Sequence, residues 1–117
     1  MATYAPDFIR WPDKAICPDG VDDFNQATAA TFEVAAAVSG RQIQLVHCQL
    51  RVAAAVTVTF KTGTTAIDGG TFIFPAADTL ELSLKHGVNI RTDVGGALQI
   101  TLSGTVQVAG PIWYRYV

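Results

Sequence analysis

The sequence predicts an all-β fold: an antiparallel β-sandwich, jelly-roll-like, of roughly eight to ten short strands with an extended N-terminal arm. Three observations carry this. Apolar and polar residues alternate in Val56-Thr57-Val58-Thr59-Phe60, Leu80-Glu81-Leu82-Ser83-Leu84, Leu98-Gln99-Ile100-Thr101-Leu102 and Val106-Gln107-Val108. A strand sends successive side chains to opposite faces, so each run has one apolar and one wet side. Turn residues, chiefly glycine pairs and Ser-Gly, recur between the runs. No apolar repeat of helical period interrupts them, so helix content should be close to nil.

In chain order, residues 1–29 hold Pro6, Pro12 and Pro18, the aromatics Tyr4, Phe8, Trp11 and Phe24, and Asp7, Asp13, Asp19, Asp22 and Asp23. Proline at this spacing forbids a long helix and favours an extended segment. Residues 1–29 are therefore read as an arm and residues 30–117 as the sandwich domain. Thr31–Val38 is the first strand, and Ser39-Gly40 turns it. Gln42–Val52 is the second. Ile43 and Leu45 share one parity while Val46, Cys48, Leu50 and Val52 share the other, which predicts a bulge near Leu45-Val46. Ala54–Lys61 is the third strand, turned by Thr62-Gly63. Asp68-Gly69-Gly70 predicts a sharp turn before Thr71–Phe74, which Pro75 stops. Thr79–Leu84 follows, then a short edge at Val88–Arg91. Ala97–Leu102 and Thr105–Ala109 read as a hairpin around Ser103-Gly104. Gly110-Pro111 breaks the pattern before a last strand, Ile112–Val117.

The chain has 117 residues, one domain's worth, with a net charge of -2. Charged residues make up 15%, below the ~25% usual in soluble domains. Part of the outside is therefore expected to meet another chain. The Lys and Arg residues are scattered singly, which excludes a basic nucleic-acid footprint. No apolar run is long enough to span a membrane. Residues 1–7 have neither the basic start nor the apolar stretch of a signal peptide. Cys17 and Cys48 are read as free thiols of a protein made in the cytoplasm, and their pairing is left open.

No cofactor or metal is expected. His47 and Cys48 are neighbours, so a strand would throw them to opposite faces. Asp19-Gly20-Val21-Asp22-Asp23 lacks the order of a calcium loop. No Gly-x-Ser-x-Gly elbow is present, and only two histidines occur in the chain, leaving little for acid–base work. The residues read as partner-binding are Tyr4, Phe8 and Trp11 in the arm and Trp113 and Arg115 near the end. Aromatics in a proline-stiffened segment make efficient anchors. A guanidinium beside aromatic rings suits a peptide or a sugar. If the final strand buries Ile112, Tyr114 and Tyr116, it presents Trp113 and Arg115 on its other side.

Two stretches carry a resemblance. Arg51–Ile67 contains Ala-Val-Thr-Val-Thr-Phe-Lys-Thr-Gly-Thr-Thr-Ala, and Leu98–Tyr114 contains Leu-Ser-Gly-Thr-Val-Gln-Val-Ala-Gly. Over roughly residues 30–117 this resembles small β-sandwich virion proteins of tailed bacteriophages, the group holding capsid decoration (cement) proteins and head or tail fibre modules. Such proteins often carry a Gly-Trp-Phe-like segment before the last hairpin, where this chain has Gly87-Val88-Asn89-Ile90-Arg91. The resemblance implies a non-enzymatic homotrimer on the virion's capsid surface, with the major capsid protein as partner. Two other readings stand beside it: a fibre or receptor-binding module contacting the host surface, and a carbohydrate-binding accessory domain.

Overall fold

The computed structural model describes residues 17–117. Eight strands follow one another: β1 Gly20–Gln26, β2 Thr31–Ala35, β3 Ile43–Val52, β4 Val56–Thr62, β5 Thr65–Phe74, β6 Asp78–Ser83, β7 Leu98–Leu102 and β8 Val108–Tyr116. They build two four-stranded antiparallel sheets. Sheet I has the order β1-β8-β3-β6 and sheet II the order β2-β7-β4-β5. The pairs β1–β8, β2–β7, β3–β6 and β4–β5 are nested. A chain doubled back at the β4–β5 turn and then rolled into two layers has this order, which is the jelly-roll form of the sandwich. The only helical piece among the described residues is a 3₁₀ turn at Leu84–His86, closed by Gly87 at φ 90°.

The alternation read from the sequence makes the core. Val58, Phe60, Cys48, Leu50, Ile100 and Ile112 are all fully buried between the sheets. Each large apolar side chain removed from water in this way stabilises the fold by roughly 1.5–3 kcal/mol. The β4–β5 hairpin turns where Thr62-Gly63 predicts. Thr62 pairs Thr65, and Gly63 at φ 59° with no positive φ at Thr64 suits a two-residue II′ loop. The predicted bulge is also present, as a register shift between Leu45 and His47 where β3 meets β8. It lets Ile43 and Leu45 face the same core as Cys48 and Leu50.

Four expectations need correction. Residues 20–26 belong to the sandwich, not to the arm. Phe24 is buried and meets Phe32 edge-on at 5.9 Å. The aspartates beside it conceal the alternation, because Asp22 occupies an inward-facing position at the sheet margin opposite Ile112. Asp68-Gly69-Gly70 does not end a strand. Thr59 pairs Thr71 and Lys61 pairs Ala66, so residues 67–70 bulge opposite Phe60 alone, with Gly69 at φ 76° taking the bend. Ser103-Gly104 joins no hairpin, because β7 lies in sheet II and β8 in sheet I. Gly110-Pro111 interrupts nothing in the chain path: β8 runs through both residues. Smaller differences are a shorter first strand and a single bridge, Gln44 to Arg91, in place of a strand at residues 88–91.

Candidate functional site

The outward side of sheet I gathers the described candidate residues. Along β8 the inward positions are Val108, Ile112 and Tyr114, so Trp113 and Arg115 point outward, as strand parity predicts. Val21 pairs Trp113, and Trp113 pairs His47. The His47 and Trp113 rings lie 5.4 Å apart at 41°. His47 Nε2 stands 3.9 Å from a Glu81 carboxylate oxygen, which also accepts a 2.9 Å hydrogen bond from Gln49 Nε2. Arg115 Nε donates to Gln44 Oε1 at 2.8 Å, and Gln44 Nε2 donates to Asn89 Oδ1 at 3.1 Å. Gln44 is only 3% exposed, so the guanidinium is anchored to a buried amide rather than waving in solvent.

Below this row, small side chains open a trough of about 350 Å³ lined by Gln49, Arg51, Thr79, Ala109, Gly110 and Pro111. Its cause is local. Gly110 sits at φ 150° with its Cα pressed on the Gln49 carbonyl; a Cβ there would lie 1.8 Å from that oxygen. Pro111 has no N–H to offer the ladder. The absence of a side chain at Gly110 thus lets β8 lie close against β3 here.

Entry of the chain is tied to the same end. Asp19 N–H donates to the Tyr114 carbonyl at 2.8 Å, and the Tyr116 N–H donates to Asp19 Oδ2 at 2.7 Å. Gly20 lies under the Tyr114 ring; a Cβ would come within 2.5 Å of the hydroxyl. Burial, then Tyr116, Asp22 and Asp19, push the Tyr114 phenol above its ordinary range. Burial first and Asp23 second raise the Asp22 carboxyl. Tyr4, Phe8 and Trp11 lie outside the described residues, in the stretch that joins the sandwich here.

Sheet II presents a different outside. Thr31, Thr101, Thr59 and Thr71 form one row across all four strands. The Thr31 and Thr101 hydroxyls share a 2.6 Å hydrogen bond. Of the cysteines, Cys17 is exposed and Cys48 buried, and both are free. Burial pushes the Cys48 thiol up to about 12, with the Leu82 backbone hydrogen bond opposing and Glu81 adding. A thiol held in that form is no nucleophile.

Sequence reasoning finds Trp113 and Arg115 but misses His47, Gln49 and Glu81 beside them. Each is an ordinary outward residue of an alternating strand; only register brings His47 to Trp113. Compared with known proteins, the chain matches no family model, no curated protein and no solved structure.

Proposed function

We propose that this protein is a virion structural protein of a tailed bacteriophage that decorates the capsid, without catalysis. It binds across neighbouring major capsid subunits and stabilises the assembled head. One observation carries the reading: Trp113 and anchored Arg115 face outward at the end where residues 1–16 join the sandwich, so both sets of anchors start from one place. Jelly rolls recur in viral capsid and lectin domains, a likeness of fold that raises the reading without establishing it. A ligand that binds only the assembled shell stabilises it by mass action.

The test is cosedimentation with capsids of the virus that encodes the chain. Full-length protein is expected to pellet in many copies per particle. Removing residues 1–16, which leaves every described strand in place, or changing Trp113→Ala, should weaken binding by about tenfold or more. A double change that saturates capsids as the parent does would sink the reading. The trough further along β8 from Trp113, with Gln49, Arg51 and Thr79 at its wall, favours carbohydrate binding as the second reading. A glycan array that lights up with wild type and goes dark with Trp113→Ala would favour it over decoration.

A further inference from the structure

A sandwich has four strand edges, and each edge offers unpaired backbone N–H and C=O groups to any passing strand. Here the edges are β1 and β6 of sheet I and β2 and β5 of sheet II. Three carry acidic guards. β1 holds Asp22 and Asp23, β6 holds Asp78 and Glu81, and the five-residue β2 holds Glu33 beside a register shift. A two-fold axis that paired any of these strands with its own copy would bring like carboxylates together, which destabilises a cross-strand pair.

β5 is the exception. It is ten residues long, and its one charge, Asp68, sits in the bulge. The stretch Thr71-Phe72-Ile73-Phe74 is uncharged and consists of strong strand formers. Ile73 is 76% exposed, the most exposed large apolar side chain among the described residues. Among those residues no strand lies on the far side of β5 from β4.

We propose that β5 is a self-pairing edge: two copies of the chain join antiparallel through Thr71–Phe74, making one continuous eight-stranded sheet from two copies of sheet II. Antiparallel self-pairing is isologous, the symmetry of a two-fold dimer. It satisfies the idle backbone groups by strand addition. Ile73 loses its water on pairing, and neither partner brings a charge to the contact. Four residues a side make a small interface, so the dimer is weak and depends on concentration. The proposal stands apart from the capsid reading, and its two-fold unit replaces the trimer that the resemblance implies.

The experiment uses full-length protein in sedimentation velocity across a dilution series, with hydrogen exchange at both ends of it. Wild type is expected to run from monomer to dimer, and the amides of Thr71–Phe74 that face away from β4 should gain protection only at the concentrated end. Ile73→Lys, at a surface position, should keep the monomer's fold and raise the dimer dissociation constant by about tenfold or more, since each copy adds a charge. Ile73→Thr keeps a strand former without charge and should still dimerise. A trimer, a monomer at every concentration, or a dimer indifferent to Ile73→Lys would each overturn the proposal. Protection that does not change with dilution would also overturn it, because the edge would then be covered from within one chain.

Discussion

The two sheets share one core and differ in where their ladders break. Sheet II breaks toward its edges, at a register shift in β2 and the bulge of residues 67–70 in β5, and its outward row is a line of threonines. Sheet I breaks in its middle strands, with a bulge in β3, Gly110 of β8 at a positive φ, and residues 89–92 bonded to the start of β3 in place of a partner strand. Sheet I carries the candidate face. The bulge brings His47 opposite Trp113, and Gly110 and Pro111 line the trough further along the same strand. The comparison teaches that breaks at the edges of a sheet leave its outer face a plain row, while breaks in its middle strands decide which side chains meet there.

The largest expected effect breaks the comparison at its glycines. Gly110→Ala in sheet I forces a Cβ into the Gln49 carbonyl at a φ that L-residues avoid. It should cost about 4 kcal/mol in urea unfolding. Gly70→Ala in sheet II meets Phe60 and the Ile67 carbonyl at 3.1–3.2 Å, a contact that small shifts relieve, and should cost about 1 kcal/mol. Equal losses would mean that the close approach of Gly110 to β3 is not a built feature.

The next test sharpens it at the threonines. Thr92 is 1% exposed, and its hydroxyl accepts the Ile43 N–H at 2.8 Å. Thr92→Val leaves that buried donor unpaired and should cost about 2 kcal/mol. Thr101→Val removes a hydroxyl whose partner, Thr31, is exposed to water. That change should fall within about 0.5 kcal/mol of the parent.

The last test is read through pH. The folded Cys48 thiol sits at about 12, whereas an unfolded thiol ionises near ~8.5. Between those values the unfolded chain has released a proton that the folded chain keeps, so stability falls as pH rises. The contribution is fully present below the lower value and shrinks by about 1.4 kcal/mol per pH unit above it. Cys48→Ala should therefore flatten the alkaline limb of the unfolding midpoint against pH. In the native protein at neutral pH, a thiol reagent should label Cys17 and spare Cys48.

The central strands of sheet II, β4 and β7, were legible in the sequence, because a half-buried strand writes its geometry as a period of two; the bulge in β5 was not, because Asp-Gly-Gly reads the same at a turn and at a bulge. Phe60, Ile100 and Thr101 could be placed inside or outside by parity alone. β1 was not legible, because Asp22 stands at an inward position where its carboxyl reaches the sheet margin. Nor was the continuity of β8, because glycine and proline read the same at a turn and inside a strand that runs through them. For the candidate face, parity put Trp113 and Arg115 outside. Their neighbours His47, Glu81 and Gln44 come from other strands, and only the pairing register, a property of the folded chain, seats them there.

The nested order of the strands sets a timetable for synthesis. The β4–β5 hairpin can close as soon as it leaves the ribosome, but β1 must wait for β8. Until Tyr116 has emerged, the first strand has no mate and the middle of sheet I is missing. Such distant pairing folds slowly. The face that carries Trp113 is therefore the last part of the sandwich to form, and a nascent chain stalled short of it has nothing there with which to seize a partner too early.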